Sequence, residues 1–422
     1  MRFDTLQEWL AWQETLYPSA IALGLDRVSK VWKRMHPEPL PFPVILVGGT
    51  NGKGSCSAML EAIYAAGGYR TACYTSPHLL RYNERIRIDR EEVSDADLCV
   101  AFEQVDQARQ SDSLTYFEFG TLAALWLFIQ ARPDVAILEV GMGGRLDAVN
   151  IIDADVALVT SVALDHQDWL GNDREAIGFE KAGIFRSQRP AICADPDVPQ
   201  TLRQHARSIG AELYCYPTDF HEVINETGWS WHGPGRHRHG LPWPALRGYR
   251  QLKNAAAVLM VVECLQNRLP INQDAARTGL LSVHLPGRFQ VIAGAIPVIL
   301  DVAHNPEAAG VLAENLRRHP CQGRTLAVLG MLRDKDAEGV AQSLAGQIDC
   351  VYAASLGVDR GLQAQELAAR VQGGGLVVRQ EFASVVEAFQ QAREEAVSGD
   401  RIVVFGSFFT VAAVLPLCTS DR

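Results

Sequence analysis

The chain has 422 residues, 48% of them hydrophobic and 21% charged, the balance of a folded globular protein large enough for two cores. Its formal net charge of -10 argues against the broad basic face that a sequence-independent nucleic-acid binder needs. No uncharged apolar run reaches the roughly 18 residues of a membrane span, so no membrane partner is expected.

The opening Met-Arg-Phe-Asp-Thr-Leu-Gln-Glu-Trp has no apolar signal core, and the nine cysteines include no Cys-x-x-Cys pair. Reduced thiols in a cytoplasmic protein are therefore expected. Residues 1–42 read as helix, loop and helix, closing on a proline-rich stretch at 37–43. A fully apolar strand follows at 44–47, then a glycine loop and a helix over about 55–66. Further strands are expected at 71–74, 135–140, 156–162 and 191–194, and helices at 95–109, 116–131, 174–185 and 199–208. Continuous apolar strands alternating with helices predict a parallel sheet covered on both faces. Residues 212–248, rich in Trp, His, Gly and Pro, suit short antiparallel strands and loops.

A helix over 251–264 and another before Leu285-Pro-Gly-Arg-Phe289 lead to a domain boundary just after that Pro-Gly. From Val298 a second α/β rhythm begins, with strands at 298–302, 325–329, 351–354, 377–378 and 401–405. The fold class is α/β: an N-terminal P-loop domain over 1–287, a junction over 288–297, and a smaller Rossmann-like domain over 298–422. The second domain lacks a Gly-x-Gly-x-x-Gly opening, so a dinucleotide site there is unsupported.

The strongest local signal is Gly48-Gly-Thr-Asn-Gly-Lys-Gly-Ser55, between an apolar strand and a helix. Glycines let backbone amides close around phosphate oxygens, Lys53 adds a fixed charge, and the helix N-terminus adds its dipole. Ser55 is placed for a nucleotide-bound magnesium, although Gly54 intervenes where a usual P-loop has the hydroxyl next to the lysine. Glu139 ends a buried strand and needs a metal or a partner; a salt bridge to Arg145 is the plain alternative. His166 has the same placement after the next strand, and the pair facing a phosphate loop suggests a metal. Lys181, on residues alone, reads as a solvated helix lysine. Asp301, His304 and Asn305 stand at a strand end before a helix, where capping competes with ligand binding. The segment Trp231-His-Gly-Pro-Gly-Arg-His-Arg-His-Gly240 reads as a polar hairpin tip rather than a zinc site.

Taken together these strings resemble the bifunctional dihydrofolate synthase/folylpolyglutamate synthase family, related to the Mur ligases. The matching stretches are Gly49-Thr-Asn-Gly-Lys-Gly-Ser55, Thr75-Ser-Pro-His-Leu79, Leu114-Thr-Tyr-Phe-Glu118, Leu138-Glu-Val-Gly-Met-Gly-Gly-Arg-Leu-Asp147, Ala163-Leu-Asp-His166, Glu180-Lys-Ala-Gly-Ile-Phe185, Pro286-Gly-Arg-Phe289 and Asp301-Val-Ala-His-Asn-Pro306. They span nearly the whole chain in order. The resemblance implies that Asn51, Gly52, Lys53, Gly54 and Ser55 hold ATP phosphates, with Asn254, Arg288 and Asp301 completing the nucleotide site. Ser76, Glu139 and His166 would bind magnesium, with two ions expected and a monovalent cation left open. Lys181 would be carbamylated, which reverses the solvated reading, because a carbamate needs a partly buried, neutral amine first. The resemblance thus implies Lys53, Lys181 and His166 as the catalytic set. The acceptor would lie against Ile21, Ala22, Leu23 and Gly24, against Thr115, Tyr116, Phe117 and Glu118, and against Leu146, Asp147 and Ala148. His304 and Ser407 point to the glutamate side. Phe409 departs from the His found in enterobacterial relatives.

The implied reaction adds L-glutamate to dihydropteroate and to tetrahydrofolates, forming ADP through an acyl phosphate, in a monomeric enzyme. Three rivals stand beside it: a ligase that only lengthens folate tails, a Mur-type peptidoglycan ligase, and a P-loop binding module. The roughly 40 residues before the P-loop are too few for the UDP-binding domain of the second.

Overall fold

The computed structural model describes residues 1–17, 22–226 and 228–419. It divides into two compact units, Met1–Ala245 with Leu252–Val283, and Leu246–Gln251 with His284–Arg422.

In the first unit, strands β1 (Val44–Gly48), β2 (Thr71–Tyr74), β3 (Ile86–Ile88), β4 (Glu91–Glu92), β5 (Val135–Glu139), β6 (Val156–Val159), β7 (Pro190–Cys193) and β8 (Glu212–Cys215) form one sheet. Its order is β4-β3-β2-β5-β1-β6-β7-β8. From β2 to β8 every pairing is parallel; β3 and β4 close one edge antiparallel. Strand β1 is buried at all five positions because helices cover both faces, which is why its sequence is continuously apolar. One of these helices, Tyr116–Ala131, starts from a capping box in which Thr115 and Glu118 satisfy each other's backbone amides. Its Phe119 packs against Trp9 and Phe102, with ring centroids 6.4 and 5.6 Å apart.

Two expectations change here. Residues 212–215 were expected to open the antiparallel region, yet they extend the parallel sheet beside β7, with Cys193 opposite Cys215. The crossover is made by helix Gln200–Ile209, which ends on Gly210 in the left-handed region at φ 70°. The β3–β4 ribbon has no counterpart in the sequence reading. The antiparallel region begins at β9 (His221–Asn225), which pairs with β10 (Gly228–Gly233) and that with β11 (Arg236–Leu241). The histidine-rich segment is the β10–β11 hairpin. His232 lies between His221 and His237 in register, with ring centroids 5.3 and 4.6 Å away. Among the described residues no group of three or more His, Cys, Asp or Glu is arranged to hold a metal ion.

The second unit has one sheet of β12 (Gln290–Ile292), β13 (Val298–Leu300), β14 (Thr325–Leu329), β15 (Cys350–Ala354), β16 (Val378–Phe382) and β17 (Arg401–Phe405), ordered β12-β13-β17-β14-β15-β16. All pairings are parallel except that of β12 with β13. Among the described residues no helix is long and apolar enough to cross a membrane.

Candidate active site

Four adjacent parallel strands of the first unit, β2, β5, β1 and β6, bring their carboxyl ends to one edge, where ligands of open α/β sheets gather. Ser76 follows β2, Glu139 ends β5, the glycine loop follows β1, and Ser161 and His166 follow β6. The predicted phosphate-loop and metal residues of this unit therefore share one rim.

The glycine loop is tied to the end of β6. Thr50 N–H donates to Ser161 O at 2.8 Å, Asn51 N–H to Ser161 Oγ at 3.0 Å, and Thr160 Oγ1–H to Asn51 O at 2.6 Å. Gly49 and Gly52 sit at φ 141° and 89°, values costly for other residues. A Cβ on Gly49 would also collide with Thr160 Oγ1, and one on Gly52 would lie 3.2 Å from Asn254 Oδ1. Helix Lys53–Ala66 starts directly after the loop, so the helix N-terminus stands at the carboxyl end of β1. The Lys53 ammonium donates to Gly49 O at 3.0 Å and Thr50 O at 3.2 Å. Ser55 is buried in the first turn of that helix. Asn254, on helix Arg250–Cys264, belongs to this unit and stands beside Gly52.

Glu139 is 4% exposed, and Arg145 pairs with Glu180 at 2.8 Å. His166 holds φ 52°, an uncommon value for a non-glycine residue, as the residue before the short helix Gln167–Leu170. Lys181 is 3% exposed on helix Arg174–Ala182. The solvated-lysine reading is therefore wrong: the loop at 141–147 packs against this helix, and a Cβ on Gly144 would come within 3.2 Å of Lys181 Cα.

The predicted acceptor residues converge on the same unit, with Ile21 outside the described residues. Gly24 N–H donates to Leu146 O at 3.3 Å. Arg27, which the sequence reading missed, donates to Ala22 O at 3.0 Å and to Glu118 Oε1 at 3.0 Å. It thereby fastens the segment at 22–24 to the start of helix Tyr116–Ala131. Glu118 is 3% exposed and engaged by Arg27 and Thr115 N–H, so its carboxylate organises this wall from beneath. Asp147 accepts from Met142 N–H and Val149 N–H, at 2.9 and 3.1 Å. Burial drives its carboxyl up to about 7, against those amides and Lys53, which pull it down. Phe117 lies over Gly141, where a Cβ would meet the ring at 2.6 Å, and beside Tyr74 at 5.8 Å.

In the second unit β13, β17 and β14 end side by side. Asp301 accepts from Phe289 N–H at 2.9 Å and Ala303 N–H at 2.8 Å, so it joins the Pro-Gly-Arg-Phe turn to the end of β13. Burial pushes this carboxyl above its usual range. Arg288 lies over the Phe408 ring at 5.0 Å, and His304 is 6.4 Å from that ring. Asn305 caps helix Pro306–Arg318, so the capping reading holds for it. Ser407 Oγ accepts from Thr410 N–H at 3.0 Å inside the start of helix Phe408–Thr419, and Phe409 is exposed.

Two family models match the chain, the Mur ligase middle domain over residues 47–262 and the Mur ligase glutamate ligase domain over 287–408. The dihydrofolate synthase/folylpolyglutamate synthase of Escherichia coli K12 is 44% identical over 99% of this chain and 96% of its own length. The chain belongs to the dihydrofolate synthase/folylpolyglutamate synthase family of Mur ligases. The Haemophilus influenzae member of the family is 41% identical over 96% of both chains. Among solved structures, E. coli FolC in complex with DHPP and ADP superposes with a TM-score of 0.94 at 44% identity, covering 99% of each chain. A bifunctional folylpolyglutamate synthase/dihydrofolate synthase with Mn, AMPPNP and L-glutamate bound superposes with 0.91 at 46% identity, over 98% of each. The two-unit α/β fold is thus that of this ligase family.

Proposed function

We propose that the chain is an ADP-forming ligase that joins L-glutamate to dihydropteroate and to tetrahydrofolates. The observation that carries this reading is the shared rim: a phosphate loop, a buried carboxylate at Glu139 and an apolar wall at 115–117 in one unit. A binding module without ligase chemistry has no use for that combination.

A carboxylate resists attack because the incoming amine must add electrons to an anion. Transfer of the ATP γ-phosphoryl group to it gives an acyl phosphate with a good leaving group, which the glutamate amine displaces. In this reading Lys53 and the N-terminus of the helix it opens stabilise the charge that develops on the moving phosphoryl group. Asn254 borders the same loop, and we assign Arg288 and Asp301 to the nucleotide as well. Hard oxygen donors suit magnesium, and the buried Glu139 carboxylate with the Ser76 hydroxyl supplies them, His166 adding a nitrogen. Magnesium, when bound, neutralises phosphate charge; we infer two ions, the second supported by a carbamate on Lys181. The segments at 22–24, 115–118 and 146–148 hold the pterin and benzoate parts, with Glu118 acting through Arg27 rather than on the ligand. His304 and Ser407 take the glutamate side. We place 1–287 as the nucleotide and acceptor domain and 298–422 as the glutamate-ligase domain. Nine free thiols support a reducing, cytoplasmic compartment, and we assign a monomer.

The test is phosphate and ADP release with MgATP and glutamate, adding dihydropteroate or tetrahydrofolate in separate reactions. Release with a matching amide product is expected from both. Release with tetrahydrofolate alone would make the enzyme a tail-lengthening ligase, and AMP in place of ADP would sink the mechanism.

A further inference from the structure

Beyond the residues placed above, a cationic group stands at the same rim with no role yet. Arg85 is the last residue before β3, and its carbonyl accepts from Thr75 N–H at 2.8 Å, next to Ser76. Its guanidinium is built in from three sides. Nε–H donates to His78 Nδ1 at 2.8 Å. The Tyr82 ring centroid lies 5.2 Å from Cζ and the Tyr116 centroid 5.6 Å, with the two rings edge to face at 5.8 Å. Tyr82 is 4% exposed and sits in the core below.

This arrangement differs from that of Arg87 and Arg81 nearby. Arg87 pairs with Glu61 at 2.8 Å and Arg81 with Asp95 at 3.1 Å, whereas among the described residues no carboxylate pairs with Arg85. The neighbouring Glu84 spends its carboxylate on the amides of Leu79, Leu80 and Arg81, each at 2.7 Å. A half-buried guanidinium set against two aromatic rings and fixed through Nε leaves its two terminal nitrogens as a fork for one carboxylate.

Which carboxylate follows from the sheet. The phosphate loop follows β1, while β3 is three strands away in the order β3-β2-β5-β1. At ~4.8 Å per strand the two strand axes are about 14 Å apart, one strand further than β2 with Ser76, so Arg85 stands farther from the phosphate loop than the metal residues do. Dihydropteroate has a single carboxylate, which reacts. A tetrahydrofolate reacts through the side-chain carboxylate of its glutamyl residue and carries an α-carboxylate that does not react. We propose that Arg85 is the receptor for the non-reacting carboxylate of a glutamylated acceptor, and so favours tail lengthening over the first glutamate addition. This rests on the ligase reading above.

The experiment compares kcat/KM for tetrahydrofolate and for dihydropteroate in the wild type, Arg85→Gln and Arg85→Lys, with glutamate and MgATP saturating. In Arg85→Gln the tetrahydrofolate-to-dihydropteroate ratio is expected to fall about tenfold or more, the loss of a charge-assisted bidentate contact. Arg85→Lys, which keeps the charge but not the fork, is expected to give an intermediate ratio. A merely structural arginine would lower both activities together, so a ratio within about twofold of wild type in Arg85→Gln overturns the proposal. A raised KM for free glutamate with both acceptors, measured in a separate series with glutamate varied, would overturn it too, by moving the contact to the incoming amino acid. Failure of the ligase reading itself is seen earlier and separately, as a wild type silent with both acceptors.

Discussion

Replacing Lys53 with methionine is expected to lower kcat by about a thousandfold, some 4 kcal/mol of transition-state stabilisation, with both acceptors. The substitution keeps an unbranched side chain one atom shorter and removes the ammonium. In the structure that ammonium closes the loop by donating to Gly49 O and Thr50 O, which holds its charge at the glycine loop. Charge grows on the phosphoryl oxygens as transfer proceeds, and a fixed cation there favours the transition state over bound ATP. If the glycine segment were only a turn, Lys53→Met would lose two hydrogen bonds, about 1 kcal/mol each, and kcat would change by no more than a few fold. Steady-state kinetics on protein with an unchanged circular dichroism spectrum decides between these outcomes.

The second large effect is expected at Lys181. Lys181→Ala should reduce kcat by about a hundredfold or more, and a small carboxylate added to the buffer should restore part of it. In the proposed reading this lysine, 3% exposed, adds carbon dioxide through its neutral amine to become a carbamate. The wild type should accordingly lose activity when carbon dioxide is removed at constant pH, and regain it with bicarbonate. If Lys181 serves packing alone, the alanine variant loses stability, the added carboxylate does nothing, and carbon dioxide has no effect on the wild type.

Sequence periodicity located most of this architecture because buried parallel strands and capped helices are written locally. The apolar run at 44–47, the capping-box pair Thr115 and Glu118, and the exact spans of helices Asp95–Arg109 and Tyr116–Ala131 need only neighbouring residues. The ribbon Ile86–Ile88 with Glu91–Glu92 escaped because two- and three-residue strands carry no usable period. Residues 212–215 were assigned the wrong pairing for the same reason: direction is set by the preceding helix, not by four side chains.

The site divides along the same line. Loop 49–52 and the strand-end Glu139 are local signals, and both stand on the predicted rim. Arg27 acts on Glu118, 91 positions away, and Arg85 is defined by rings at Tyr82 and Tyr116 that meet only after folding. Lys181 shows the limit most clearly. Its helix has a polar face in sequence, yet the loop at 141–147 packs against the helix at Lys181, which is buried.

The most direct test of acyl-phosphate chemistry is an oxygen-transfer experiment with dihydropteroate labelled with 18O in both carboxylate oxygens, glutamate and MgATP. Attack of the carboxylate on the γ-phosphorus predicts that each turnover moves one labelled oxygen into phosphate, read by mass spectrometry. The amide then keeps the other. Unlabelled phosphate, with the missing label in water or in AMP, would contradict the account.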